Sequence, residues 1–421
     1  MNRFIYSLLV TLLLPVILLY LLWRSRKDPA YRQRLGERLG RHFPAQQGGI
    51  VIHCASMGET LAALPLIRAL QARFPHQSIT VTSTTPSGSA QVKQHLGDSV
   101  QHCYLPLDLP VICQRFVKAL RPQLVILVET ELWPNLIHAC HQNETPVMLT
   151  NARLSSRSAQ GYARFPKLIQ PMLTQLSAVA MQNEVDGERL VSLGLDPAKL
   201  TVCGSLKFDV DLAQTSDIAS QRRQWLGERA VWCAGSTHPG EFEQALAAHR
   251  QLQQMHPDLL LLLVPRHPEQ FEAAIQLSKQ AGFQTARRSQ SDTVGDEIQV
   301  LIGDTMGELM ALYGMSDACF VGGSLIERGG HNPLEPAALA KPVLMGPHHF
   351  NFAEIGAALV QAGGMSVVSN SDDLAEQLEH LLSLRSQAQA MGKKGQRVVE
   401  INRGATQRQL TVAEALLTSN D

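Results

Sequence analysis

The chain has 421 residues, too many for one hydrophobic core, so two domains are expected. Its 37 basic and 37 acidic side chains balance, which argues against a nucleic-acid partner and leaves anion binding to local patches. Seven scattered cysteines without Cys-x-x-Cys spacing argue against a disulfide framework or a zinc site, and no metal is expected.

Phe4 to Trp23 runs about twenty residues without a charge, enough to cross a bilayer as a helix. Arg3 precedes it, and Arg24, Arg26 and Lys27 follow, so residues 1–27 read as an anchor with the body on the cytoplasmic side. A cleaved signal peptide is the competing reading; its apolar region would be unusually long, and no small-x-small site follows Trp23. Residues 28–48 carry Arg32, Arg34, Arg38 and Arg41, a basic segment expected to lie against anionic headgroups. A mere topology signal reads at least as well for Arg24 to Lys27, whereas the later arginines lie further out than topology requires.

From Gly49 apolar strand-like runs alternate with amphipathic helical ones. Strands are predicted over Ile50–Ala55, Ser78–Thr84, Leu124–Val128, Pro146–Leu149, Ala178–Met181 and Thr201–Ser205. Residues 209–228 are polar and helical in character and read as a linker region. The pattern restarts with strands at Ala230–Ala234, Leu259–Val264, Glu297–Ile302, Ala318–Val321, Pro342–Leu344 and Met365–Val368. The fold class is therefore α/β, with two Rossmann-like doubly wound domains over 49–208 and 229–385. Residues 386–421 form a helical region open to packing back on the first domain. Ligands of such sheets sit beyond the C-terminal strand ends, which makes a cleft between the halves the expected site.

The strand ends are polar. Glu59 follows the first strand, and Glu129 and Glu131 follow Leu124–Val128 beside Trp133 and Pro134. A carboxylate there either complements a helix dipole or takes a proton from a hydroxyl. Lys207 follows a later strand as a positive partner, or as a plain surface lysine. In the second half, Gly235-Ser236-Thr237-His238, Pro265-Arg266-His267-Pro268, Gly303-Asp304-Thr305-Met306-Gly307-Glu308-Leu309 and the Gly-rich run from Gly322 follow successive strands. That last run leads to Asn332 as N-cap, Pro333 at N1 and Glu335 at N3 of a helix over Pro333–Ala340. Locally it reads equally as a capped loop or as a phosphate cradle. Four such ends together suggest a nucleotide pocket. The Gly-x-Gly-x-x-Gly and P-loop patterns are absent, which favours a sugar nucleotide over a dinucleotide.

Ala55-Ser56-Met57-Gly58-Glu59, Glu129-Thr130-Glu131-Leu132-Trp133-Pro134-Asn135, Asn151-Ala152-Arg153-Leu154-Ser155, Gly204-Ser205-Leu206-Lys207-Phe208-Asp209, Val264-Pro265-Arg266-His267-Pro268 and Gly329-Gly330-His331-Asn332-Pro333-Leu334-Glu335-Pro336 resemble, in order, the motifs of the 3-deoxy-D-manno-octulosonic acid (Kdo) transferase family. The resemblance runs from the anchor nearly to the C-terminus. It implies a GT-B type, inverting glycosyltransferase of the inner membrane, with CMP-Kdo as donor, a lipid A precursor as acceptor and no cofactor. It further implies Glu59 as general base, with Glu129 and Lys207 stabilising the transition state. CMP would be held by Arg266, His267, Gly307, Glu308, Leu309, Asn332, Pro333, Leu334 and Glu335. The phosphate would meet Arg266 and the helix start, leaving Glu335 for the ribose. Alternatives on the same fold are another glycosyltransferase or a nucleotide-sugar epimerase. A membrane-tethered binding scaffold is the alternative of a different class.

Overall fold

The computed structural model describes residues 1–44, 46–210, 212, 218–290 and 293–418. Of the linker expected over 209–228, residues 211 and 213–217 lie outside the described residues. The chain divides into two compact units, Met1–Asp209 with Arg403–Asp421, and Val210–Asn402.

The first unit opens with α1 (Arg3–Arg24) and the one-turn α2 (Leu35–Arg38). Strands and helices then alternate: β1 (Ile50–His53), α3 (Met57–Arg73), β2 (Ile79–Ser83), α4 (Pro86–Leu96), β3 (Gln101–Tyr104), α5 (Pro110–Leu120) and β4 (Leu124–Val128). They continue with α6 (Pro134–Gln142), β5 (Val147–Ala152), α7 (Ser156–Ala163), α8 (Pro166–Thr174), β6 (Ala178–Met181), α9 (Glu184–Ser192) and β7 (Leu200–Val202). The parallel sheet has the order β3-β2-β1-β4-β5-β6-β7. β1 and β4 are buried along their whole length, as a sheet covered on both faces requires. One face packs Phe116, Ile137 and Leu173, and the other Leu66, Ile67 and Leu410. Proline at the first position starts α4, α5, α6 and α8, where its missing N–H costs nothing.

The second unit repeats the plan with α10 (Ile218–Leu226), β8 (Val231–Thr237), α11 (Phe242–Leu252), β9 (Leu260–Pro265), α12 (Phe271–Gln280), β10 (Thr285–Arg287) and β11 (Val300–Ile302). It goes on through α13 (Leu309–Met315), β12 (Ala318–Val321), α14 (Leu334–Ala338), β13 (Val343–Met345), α15 (Ala353–Ala362), β14 (Met365–Val367), α16 (Ser371–Ser383) and α17 (Arg385–Asn402). Its sheet is also parallel, in the order β10-β11-β9-β8-β12-β13-β14.

The helical stretch after 385 is two helices. Gly404, at φ 86, breaks it, and α18 (Ala405–Thr418) belongs to the first unit. Asp209 caps this helix, accepting the Gly404 N–H at 2.7 Å and the Thr406 N–H at 2.6 Å. The wholly buried Gln409 then joins two strand ends. Its Oε1 accepts the Asn151 N–H at 2.9 Å, and its Nε2 donates to the Gly204 carbonyl at 3.0 Å.

α1 is long and apolar enough to cross a membrane, with a broad exposed face that includes Phe4, Leu12, Val16, Leu19 and Trp23. Its first turn is tied to the body: Tyr6 donates to Asp108 at 3.0 Å and Ser7 to Asn135 at 2.9 Å. The basic segment behaves differently from the expectation of headgroup contact. The Arg38 guanidinium is buried over the Tyr104 ring at 4.0 Å, and Arg34 lies over the same ring at 4.8 Å while pairing with Glu37 at 2.7 Å. Only Arg32 and Arg41 of the four are exposed. Two of the arginines therefore hold α2 onto the sheet edge.

Candidate active site

In the first sheet the chain runs outward from β1 through β2 and β3, then returns to place β4 on the other side of β1. This reversal opens a crevice beyond the C-terminal ends of β1 and β4, the usual ligand position of a doubly wound sheet. Glu59 and Glu129 stand there. Ser56 caps α3, and Glu59 reaches back from the third helical position to accept the Ser56 hydroxyl and the Ala55 N–H, both at 2.8 Å. Burial, then the negative field of Glu131, pushes its carboxyl up to about 7, against those hydrogen bonds; Glu129 adds to the push. A carboxylate in this range is poised to exchange a proton near neutrality.

Glu129 follows β4 with φ 59, a left-handed conformation unusual for glutamate. Its Oε2 takes the Arg153 fork, with Nε and Nη2 both at 3.0 Å. Glu131 accepts the Trp133 indole N–H at 3.0 Å and lies 3.6 Å from Nε2 of the wholly buried His53. Lys207 lies in a turn after β7, the far edge strand, yet this turn comes back to pack against α3. The Leu206 N–H is fixed by the Asn151 side chain at 3.0 Å.

The second sheet reverses between β8 and β12, and its strand ends carry the opposite charge. His238 Nε2 is 2.9 Å from His331 Nε2, and the His267 ring lies 5.5 Å from that of His238. Burial, then Arg328, His267 and Arg266, lowers His238 to about 4. Burial, then Arg266 and the other members of the cluster, lowers His331 to about 3. Three histidines and two arginines thus share one field, and burial first, then the arginines, keeps His238 and His331 neutral. Such a cluster suits an anion.

The Gly-rich turn narrows the cradle reading at residues 323–325. Its amides are already occupied: Glu241, wholly buried, accepts Gly323 N at 2.7 Å, Ser324 N at 2.9 Å, Leu325 N at 3.0 Å and His238 N at 3.1 Å. A protein carboxylate thus fills the nest at the start of the turn, upstream of the Asn332 helix start where the phosphate was expected. α14 is also shorter than expected, five residues beginning at Leu334, so its dipole is small. Asn332 Oδ1 still accepts the Leu334 N–H at 3.1 Å, and Asn332 Nδ2 reaches Glu335 at 3.4 Å. Burial pushes the Glu335 carboxyl up to about 7, opposed by Asn332 and Arg266.

With this geometry in view, a family described as 3-deoxy-D-manno-octulosonic-acid transferase matches residues 33–210, and one described as glycosyl transferases group 1 matches 238–398. The 3-deoxy-D-manno-octulosonic acid transferase of Haemophilus influenzae is 46% identical, with the whole of each chain covered. The chain belongs to the Kdo transferase family. It is a glycosyltransferase of lipopolysaccharide synthesis. The solved structures are similar in fold alone. MurG from Acinetobacter baumannii is 14% identical, with 88% of this chain and 99% of that one covered, at TM-score 0.55. A UDP-GlcNAc 2-epimerase from Neisseria meningitidis is 15% identical, with 88% and 100% covered, at TM-score 0.55. The fold is the α/β, GT-B-like one, which serves transferases and epimerases alike.

Against this Kdo transferase frame, the expected residues fall into three groups. Glu59 and Glu129 meet at neighbouring strand ends of the first unit. Arg266 and His267 join His238, Arg328 and His331, which the sequence reading left without a site role. Gly307, Glu308 and Leu309 lie where β11 leads into α13; Glu308 is occupied by Arg288 at 3.1 Å and by the Thr305 hydroxyl. Among the described residues no group of three or more His, Cys, Asp or Glu side chains is arranged to hold a metal.

Proposed function

We propose that this enzyme moves Kdo from CMP-Kdo to a lipid A precursor, inverting the anomeric centre, at the cytoplasmic face of the inner membrane. The observation that carries the reading is Glu59, a carboxyl held near 7 at the switch point of a sheet whose crevice is otherwise acidic. Its role is general base. It accepts the proton of the attacking sugar hydroxyl as the new glycosidic bond forms and the bond to CMP breaks. Loss of CMP leaves positive charge on the sugar, which Glu129 stabilises, while Lys207 faces the sugar carboxylate.

The departing phosphate belongs to the second unit. Arg266, Arg328 and the three histidines neutralise it, so no metal is required in this account. Asn332 and Glu335 serve the ribose, with Gly307, Glu308, Leu309, Pro333 and Leu334 around the base. The exposed apolar face of α1 keeps the protein at the membrane that holds the acceptor.

The test is direct: incubate purified protein with CMP-Kdo and tetraacylated lipid A precursor, and follow CMP release and lipid mass. Release of CMP with a heavier lipid, retained in EDTA, is expected. Absence of both products sinks the reading, and a strict divalent requirement removes its metal-free part.

A further inference from the structure

A second feature of the first unit is a groove of about 590 Å³ beside the carboxylates, within the range that holds small organic ligands. Trp133 and Leu132 form one side, and Tyr162, Phe165, Leu168 and Met172 of the α7–α8 hairpin the other. One end is polar, at Thr130 and Glu131, which belong to the same loop as Glu129. The lining also includes Met1 and Tyr6, at the start of the apolar helix α1. Phe165 is 40% exposed there, a large aromatic at the rim with no core to serve.

The hairpin is also basic. From Arg153 to Asn183 the chain carries Arg153, Arg157, Arg164 and Lys167 and no acidic residue. Arg153 is bound to Glu129, whereas Arg157, Arg164 and Lys167 are exposed on the hairpin, next in the chain to the lining residues Ser158, Phe165 and Leu168. An apolar trough formed in part by a hairpin whose exposed charges are all cationic fits an anionic lipid.

We infer that this groove holds an acyl chain of the acceptor, with the acceptor's phosphate against Arg164 and Lys167. The sugar is thereby presented at the Glu129–Glu131 loop. A bulk bilayer lipid has no reason to reach those carboxylates; an acceptor must. The inference rests on the reading that the acceptor is a phosphorylated lipid.

Gly161 offers a clean test. It lines the groove, and a Cβ added there meets nothing within 4 Å, so the helix accepts Gly161→Phe, a substitution that puts an aromatic ring at the groove. In the full-length protein this variant is expected to raise the KM for tetraacylated acceptor at least tenfold relative to its fully deacylated, water-soluble form. Equal KM changes for the two forms overturn the proposal. Binding is read separately, with a tetraacylated, diphosphorylated glucosamine disaccharide bearing a fluorescent acyl chain, so the groove is tested even if no transfer occurs. Gly161→Phe weakens that binding at least tenfold. Arg164→Gln with Lys167→Gln weakens binding of the diphosphorylated probe but not of its dephosphorylated form. Unchanged binding in both variants overturns the assignment. Phosphatidylglycerol vesicles supply the last arm: Gly161→Phe still binds them, and loss of vesicle binding in step with the probe would make the groove a bilayer contact instead.

Discussion

Glu59 and Glu241 occupy matching places in the two units. Each follows the first strand of its sheet at the start of the next helix, Glu59 in the first turn of α3 and Glu241 at the N-cap of α11. Each bends back to accept backbone N–H groups, yet they do opposite things. Glu241 is wholly buried; burial raises its carboxyl above the ordinary value, and hydrogen bonds from four amides oppose that rise. Glu59 accepts one amide and one hydroxyl, stays partly exposed, and faces two other carboxylates. The same residue type thus serves as a structural anion where its lone pairs are filled, and as a titrating group where they are not. The surrounding charge divides likewise, acidic in the first crevice and cationic in the second.

The largest effect expected from this contrast is on rate. Glu59→Gln lowers kcat/KM for transfer by about a thousandfold. Next, Glu241→Ala strands buried amides and destabilises the second unit by about 3 kcal/mol or more, read by urea unfolding. Glu59→Gln brings no such loss; equal destabilisation by the two changes would erase the distinction between them. In the cationic crevice, Arg266→Gln weakens CMP binding by about ten- to a hundredfold, measured by calorimetry.

A smaller effect is protonic. His238 and His331 are neutral at pH 7 when no anion is bound, with values of about 4 and 3. A bound phosphate raises both, so CMP binding takes up protons and tightens as pH falls toward 5. Calorimetry in buffers of differing ionisation heat at pH 6 reads that uptake directly.

The smallest effect is on stability. The folded protein keeps the Glu59 proton up to about 7, whereas the unfolded chain releases it around the ordinary 4.5. The buried carboxylate therefore costs stability progressively as pH rises through that window. Glu59→Gln should raise the Tm more at pH 8 than at pH 4.

Much of the architecture was legible because buried parallel strands such as Leu124–Val128 are continuous apolar runs between turn residues. β3 and β10 escaped notice because they are edge strands, with Gln101, His102 and Arg287 breaking any apolar run. Glu59 and Glu129 were visible as acids directly after strands. Glu241 was not, because a glutamate that plugs a nest looks in sequence like any helix-start acid. The glycines at 322 and 323 announced a turn hungry for an anion without saying that the anion is the protein's own. Arg328 and His331 lay inside a motif whose cap residues drew attention first; their convergence with His238 depends on β8 lying next to β12, a neighbour relation the sequence does not carry. Arg34 and Arg38 misled for the same reason, since their partner Tyr104 is distant in the chain.

The decisive measurement is the pH dependence of single-turnover transfer from CMP-Kdo to the tetraacylated precursor, in native protein and in Glu59→Gln. The native rate should climb with pH to a plateau above about 7, the range of the Glu59 carboxyl. The variant should be slow and flat. A Glu59→Gln enzyme that keeps both the native rate and the native profile would contradict the assignment of the base.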